Sequence, residues 1–426
     1  MSIALLLVPF AIALLIGVPI SFSLGIGVLF YLLFAQALPL DVMTLQMYSS
    51  AANFPLMAIP FFVLAGDLMN RTGITERLIE FCKIIFGRIK GGLSQVMVAT
   101  STVFAGLTGS ATADTAAMIK ILGPAMEKEG YGKDFTASLA AAAGVLGPII
   151  PPSTIMIVYG ATVNTSVGAM FLGGILPGIL IAVLLMVTAY IIGLRRNFPK
   201  SEEPFTIKRL FIGIKDAALA LVMPIIIMVG IRGGVFTPTE GGAVAAAYSI
   251  IIGAFVYRTL KLRDFFESAL TSGITASIIM LVVAASNPFG WILSVNRVPQ
   301  DFAEFLLALT TNKYIVLLLI NAILLLAGMF LEGAAIVLLL APILAPVAAK
   351  VGVDPVHFAI IMTVNICIGM ATPPVGVNLF VAAPVAGTTM SRITRAVLPF
   401  VLAELVALAI ITFVPPLTLF IPNLIK

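Results

Sequence analysis

Two pairs of segments concentrate glycine, proline and small hydroxyl residues in patterns that suit cation binding. GLTGSATAD at 106–114 pairs with GVLGPIIPPST at 144–154, and GMFLEG at 328–333 pairs with GMATPPVG at 369–376. Prolines remove amide donors and break the helical hydrogen-bond ladder, which leaves carbonyl oxygens without partners. Such carbonyls, together with Ser and Thr hydroxyls, suit a hard cation such as sodium. We therefore predict two cation sites, although small residues also serve simple helix packing.

The same breaks release helix N-termini, where unpaired amides and partial positive charge favour an anion such as a carboxylate between the two sites. Asp114 and Glu332 lie within or beside these apolar segments. An acid at membrane depth is a functional candidate, whether it binds a cation, relays a proton or lines a wet hairpin tip. Four polar residues are candidate substrate contacts, with hydrogen bonding between helices as the alternative: Asn164, Ser166, Asn365 and Asn378.

Composition indicates that a bilayer surrounds these segments. Of the 426 residues, 61% are hydrophobic and 10% are charged, a proportion that only an implausibly large soluble core could bury. Helices, by contrast, pair their own backbone groups in lipid. Runs long enough to cross a bilayer fall at 3–20, 21–37, 54–70, 168–194, 215–231, 236–256, 267–288 and 395–421. We predict an all-α polytopic membrane protein, whose basic residues reflect membrane topology and do not imply nucleic acid.

An internal repeat connects the two pairs of segments. A shift of 222 residues aligns residues 105–152 with 327–374 without a gap, with twelve identities in forty-eight positions. Half of the matches are glycines and prolines, which determine backbone geometry. Duplicated segments interrupted by these residues are typical of transporters that bind substrate at the repeat interface. We predict two inverted repeats, each with a re-entrant helical hairpin and a broken helix.

The repeat divides the chain into four segments. Residues 1–90 are predicted to form N-terminal scaffold helices and an interfacial arm helix, and 91–194 the first half of a transport domain, with hairpin 1 and its broken helix. Residues 195–315 add scaffold helices and a second arm helix. Residues 316–426 form the second half, with hairpin 2, its broken helix and the C-terminal helix. The basic connection from 195 to 215 is expected to face the cytoplasm.

The four motifs, in this order, resemble the large membrane subunit of tripartite ATP-independent periplasmic (TRAP) transporters over essentially the whole chain. The resemblance implies an elevator-type transporter of the ion transporter superfamily in the bacterial inner membrane. Such a protein imports an organic carboxylate, for example sialic acid or a C4-dicarboxylate, using a sodium gradient. It implies a small four-helix membrane subunit, expected as a separate chain, and a soluble periplasmic binding protein that delivers the acid. No cofactor is expected besides two or more coupling sodium ions.

The resemblance also assigns roles to individual residues. The first sodium ion is expected near Thr108, Ser110, Gly147, Ile149 and Pro152. By the repeat, the second is expected near Gly328, Gly333, Gly369, Thr372 and Val375. Substrate is expected between the hairpin tips, near Asp114, Ser153 and Asn378. Because Ser110 aligns with Glu332, the two sites cannot be chemically identical.

Three alternatives compete with this interpretation. The first is a sodium- or proton-coupled carboxylate carrier of related architecture that needs no binding protein, and the second is a channel. The third, an intramembrane enzyme, has no visible apparatus, because the sequence contains no His-Glu-x-x-His motif, His-paired nucleophile or nucleotide loop. No signature selects one organic acid over another.

Overall fold

The computed structural model describes residues 3–35, 39–200, 206–310 and 312–424. Within these ranges every regular element is a helix, as the composition predicts. The last residues of the predicted run 21–37 lie outside the described residues, as do 201–205 in the basic connection.

The helices follow one another in four groups. The N-terminal group comprises α1 (Ile3–Leu15), α2 (Ile20–Ala35), α3 (Asp41–Ala51), a 3₁₀ turn (Phe54–Met57), α4 (Ala58–Arg71) and α5 (Ile74–Phe86). The second comprises α6 (Gly92–Thr108), α7 (Ala111–Lys128), α8 (Lys133–Gly144), α9 (Thr154–Val163) and α10 (Val167–Arg195). The third comprises α11 (Ile207–Arg232), α12 (Pro238–Ile251) with a π-helical turn (Ile252–Val256), α13 (Leu262–Val295) and α14 (Val298–Leu309). The last comprises α15 (Lys313–Gly328), α16 (Gly333–Lys350), α17 (Pro355–Met370), α18 (Val377–Ala386), α19 (Met390–Phe413) and α20 (Pro416–Asn423).

In the described ranges, six helical segments are long and apolar enough to cross a membrane: α10, α11, α12 with its π-helical turn, α13, α16 and α19. A seventh span arises if α3 and α4, which meet at a bend of 57°, count as one. The predicted run 395–421 is not one helix, because α19 ends at Phe413 and α20 begins at Pro416. Prolines 415 and 416 explain the break, since proline lacks an amide donor and disfavours helical geometry in the preceding residue.

The two halves place the same elements at the predicted offset. Helices α7 and α16 both begin and end 222 residues apart, at Ala111–Lys128 and Gly333–Lys350. The Pro-Pro peptide bonds at 151–152 and 373–374 are both cis. The amphipathic helices α5 and α14 also occupy corresponding positions, and their role as arm helices stays a prediction. Inversion of one half relative to the other stays a prediction.

The hairpins and broken helices of the two halves interleave. Helix α7 packs against α18 of the other half, and α16 packs against α9. Helices α8 and α17 lie in the interior, where Phe135–Gly144 and His357–Met370 are buried without interruption. An apolar helix with no polar face is expected to be buried on all sides. These two helices therefore hold the Pro-Pro breaks that follow them within the protein.

Candidate ion and substrate site

The first hairpin turns at a glycine that lies on the first Pro-Pro break. Helix α6 ends at Thr108 because Gly109 adopts the left-handed conformation, with φ of 62°. Ser110 then caps α7 by accepting a hydrogen bond from the Ala113 amide at 3.5 Å. A Cβ atom on Gly109 would lie 2.6 Å from the carbonyl oxygen of Pro152. The predicted turn and break are thus in direct contact, at a position that only glycine fits.

Asp114 projects into this contact as a fully buried carboxylate. The Thr108 hydroxyl donates a hydrogen bond to the Asp114 Oδ1 atom. The backbone amide of Asp114 donates to the Ser110 carbonyl at 3.1 Å. Its Oδ2 atom has no hydrogen-bond partner among the described residues. A Cβ on Gly147 would lie 2.6 Å from that Oδ2 atom and 3.0 Å from the Ser110 carbonyl oxygen. Thr108, Ser110 and Gly147 therefore lie around the Asp114 carboxylate, whose Oδ2 atom is left unpaired.

Two further predicted residues face other groups. The carbonyl oxygen of Ile149 packs against Gly174 of α10, where a side chain would overlap it. The Ser153 hydroxyl is buried, accepts a hydrogen bond from the Met156 amide at 3.2 Å and donates one to the Pro148 carbonyl. Ser153 thus caps α9 and closes the Pro-Pro break in this structure.

The second hairpin also lies on its break, with different contacts. A Cβ on Gly328 would lie 2.9 Å from the Cα of Gly369, so α15 and α17 meet through their backbones. The Gly376 amide donates to the Met329 carbonyl at 2.9 Å and ties the break to the hairpin turn. The Thr372 hydroxyl donates to the Ile368 carbonyl at 2.7 Å.

Glu332 occupies the position that corresponds to Ser110. It stands at the N-cap of α16 with an exposed side chain, so its carboxylate lies at the positive end of that helix. Val375, the remaining residue of the second set, is half-buried. The two predicted sites therefore contain different chemical groups, in line with the sequence alignment.

Four helix N-termini gather where the two halves interleave. Gly109, at the start of α7, lies against Pro152 and the first residue of α9, and Gly333, which begins α16, packs against Ile155. The start of α18 lies at the second hairpin, because the Gly376 amide donates to the Met329 carbonyl. Asn378, in the first turn of α18, donates to the Ala141 carbonyl at 3.1 Å, and its buried Oδ1 has no partner among the described residues. Gathered N-termini favour an anion.

The remaining asparagine and serine candidates divide between structural roles and an open cavity. The Asn365 amide donates to Asn321 of α15, to the side-chain oxygen at 3.0 Å and to the carbonyl at 3.1 Å, which is hydrogen bonding between helices. Ser166 caps α10 by accepting from the Ala169 amide at 3.3 Å. Asn164 lines a cavity between α3 and α13 on one side and α9 and α16 on the other.

Glu404, on α19, is a buried acid that belongs to none of the motifs found in the sequence. Its side chain is fully buried, and neither carboxylate oxygen has a hydrogen-bond partner among the described residues. The signal was present, because this acid interrupts the apolar run 395–421 and an acid within a membrane span is a functional candidate.

The fold and this site define a helical membrane transporter with broken helices at its centre. The chain belongs to the family described as "Tripartite ATP-independent periplasmic transporter, DctM component", whose model matches residues 7–417. It is accordingly a permease of the bacterial inner membrane and not an enzyme. The resemblance seen in the four motifs is confirmed.

Relatives extend this match over nearly the full chain. The sialic acid TRAP transporter large permease protein SiaM of Vibrio cholerae is 39% identical over 411 residues, which cover 96% of this chain and 95% of SiaM. The isethionate TRAP transporter permease protein DctMQ of Oleidesulfovibrio alaskensis is 40% identical over 411 residues, and the match spans 65% of that longer protein. The YdaH transporter of Alcanivorax borkumensis, with 15% identity and a TM-score of 0.58 over 89% of both chains, shares the fold.

Proposed function

We propose that this chain is the large subunit of a sodium-coupled carrier that imports an organic carboxylate by an elevator movement. The observation that supports it best is the contact between each hairpin turn and its Pro-Pro break, with four helix N-termini gathered between the halves. This arrangement offers oxygen ligands for cations beside amide groups for an anion.

Sodium coupling rests on the surroundings of Asp114. A buried carboxylate oxygen without a partner is costly, and a cation bound between it, Ser110 and the backbone at Gly147 would compensate that cost. A bound cation in turn raises the affinity of the neighbouring N-termini for a carboxylate. Cation and substrate would then favour each other's binding, as coupled transport requires.

The elevator movement draws support from the contacts between the predicted domains. A Cβ on Gly66 of α4 would lie 3.0 Å from the Thr108 Cα, and one on Gly106 would lie 3.2 Å from the Pro224 side chain of α11. Glycines at both contacts permit close approach without interlocking side chains. Such a surface suits sliding of the predicted transport domain along the predicted scaffold.

The proposal includes two protein partners: a small four-helix membrane subunit and a periplasmic binding protein. The family description names a tripartite periplasmic transporter. The DctMQ relative is longer than the matched region, which is consistent with a fused small subunit in that protein.

The test is uptake of radiolabelled acid into proteoliposomes that contain this chain and its small subunit. We expect accumulation only with an inward sodium gradient and the substrate-loaded binding protein. Accumulation without the binding protein would support the direct carboxylate carrier instead, and accumulation that ignores sodium would overturn the coupling. Unitary currents of channel size would overturn the carrier itself.

A further inference from the structure

A cavity of about 370 Å³ opens between the two predicted domains. One wall comes from α3 and α13, which belong to the predicted scaffold, and the other from α9 and α16 of the predicted transport domain. Of the residues named as sodium or substrate candidates from the sequence, Asn164 lines it, and the residues of the two predicted sodium sites do not. It is therefore distinct from the contacts between the hairpin turns and the Pro-Pro breaks, and its volume is within the range of ligand sites, about 300–1,000 Å³.

The wall of this cavity is polar but uncharged. Its polar side chains are hydroxyls and amides, and no Asp, Glu, Lys or Arg is among its described lining residues. The chain's single tryptophan, Trp291, lines it and is half-buried. An indole offers an apolar face and an N–H donor, which together suit a ring that carries hydroxyl groups.

Several polar groups of the wall are held in place with their oxygens available. The Asn287 amide nitrogen donates to the carbonyl and side-chain oxygens of Gln46, at 2.8 and 3.1 Å. The Asn53 amide nitrogen donates to the Ala161 carbonyl at 3.4 Å. Both side-chain oxygens accept no hydrogen bond within the described part of the chain, so both can accept from a ligand hydroxyl.

Asn164 adds a free amide to these fixed oxygens. It ends α9 in the left-handed conformation, with φ of 56°, and its exposed side chain makes no hydrogen bond within the described ranges. Both its carbonyl and its amide group are thus open to a ligand.

We propose that this cavity binds a polyhydroxylated organic acid of single negative charge, and that it favours such acids over dicarboxylates. The proposal rests on the proposed carboxylate import and specifies its substrate class. Ligand hydroxyls pair with the amide oxygens, whereas an unsubstituted dicarboxylate such as succinate brings two charges to a wall without a cation and has no hydroxyl to donate. Removing charges from water without hydrogen bonds or an opposite charge to compensate them is costly. The cavity between the predicted domains would therefore select among organic acids by charge and hydroxyl content.

The position of Trp291 makes the proposal directly testable. We expect N-acetylneuraminate, a polyhydroxylated monoanion, to change the indole fluorescence of the purified permease in lipid nanodiscs saturably. Succinate, a dicarboxylate without hydroxyls, should not. Trp291→Phe supplies the background signal of any other component. An equal response to both acids, or no saturable response to either, would overturn the proposal.

Two variants assign the binding to the wall. Asn287→Leu should weaken N-acetylneuraminate binding at least tenfold. Asn164→Gly keeps the left-handed backbone and should also weaken binding. Asn197→Gly is its control, because Asn197 is also left-handed (φ of 52°) but lies outside the cavity, and this variant should bind N-acetylneuraminate normally. Unchanged affinity in both Asn287→Leu and Asn164→Gly would contradict the site. Sodium-driven uptake, measured separately, tests the proposed function, so each can fail without the other.

Discussion

Gly328 and Gly369 meet backbone to backbone, because a Cβ atom built on Gly369 would lie 2.6 Å from the Gly328 Cα. That Cβ atom on Gly369 would also lie 3.1 Å from the Leu325 carbonyl oxygen. This contact holds the end of α15 on α17, one turn before the second Pro-Pro break. The second hairpin therefore depends on the absence of two side chains.

Gly369→Ala is expected to lower stability by about 1–3 kcal/mol, the usual range for overpacking a close contact, and to reduce uptake. Thermal unfolding of the purified permease and uptake in proteoliposomes measure the two effects. Gly273→Ala is the matched control, since a Cβ there meets no atom within 4 Å. Equal behaviour of the two variants would contradict the assigned contact.

Asp114→Asn removes the charge beside Gly147 while the side chain keeps nearly the same size and can still pair with Thr108. We expect the sodium concentration for half-maximal uptake to rise at least about tenfold, which corresponds to about 1.4 kcal/mol of lost cation binding. Asp301→Asn, an exposed acid of α14, should leave it unchanged. A normal sodium titration for Asp114→Asn would exclude this carboxylate from the first site.

Ser110→Ala removes both a predicted sodium ligand and the N-cap of α7. Loss of an N-cap alone costs about 1 kcal/mol of stability. Thr237→Ala, which removes the hydroxyl cap of α12, provides that comparison. Only Ser110→Ala should raise the half-maximal sodium concentration, and an equal sodium response in the two variants would mean that Ser110 is a cap and nothing more.

Thr372→Ala tests the second site in the same way. The Thr372 hydroxyl, two residues beyond α17, donates to the carbonyl four residues earlier, and the Thr363 hydroxyl, within α17, does so to Ala359 at 2.8 Å. We expect reduced sodium-driven uptake for Thr372→Ala at normal expression, with little change for Thr363→Ala. The prediction fails if the two variants keep the same sodium dependence.

Glu404→Leu should raise the thermal stability of the permease, since an apolar side chain of similar size replaces a buried carboxyl group without partners. A loss of uptake in the more stable variant would indicate that the acid serves transport, because such trade-offs are common at functional positions. Glu304→Leu, at an exposed position of α14, controls for the loss of an acid. A destabilised Glu404→Leu variant would contradict the reasoning.

The sequence was most informative where backbone geometry decides the structure. Gly109 and the Pro-Pro dipeptides restrict the backbone locally, so their pattern alone located the hairpin turn and the breaks. The prediction of one run over 395–421 did not include the break between α19 and α20. Pro415 and Pro416 indicate this break, but the residues around them are uniformly apolar and favour a continuous span.

The details of the site depend on contacts between distant parts of the chain. The carbonyl of Ile149 packs against Gly174 because α10 lies beside the break, which no local pattern specifies. The polar cavity likewise joins Asn164, a candidate substrate contact in the sequence, to Asn53 and Asn287, which no motif includes. Only tertiary packing brings such residues together, so the cavity could not be predicted from the sequence.

The hydrogen bond from the Gly376 amide to the Met329 carbonyl joins hairpin and break entirely through main-chain atoms. Side chains at the adjoining positions, such as Phe330 and Leu331, take no part in this hydrogen bond, so a substitution there leaves its donor and acceptor in place. This main-chain link between hairpin and break is therefore compatible with different neighbouring side chains, and so with permeases that import different substrates.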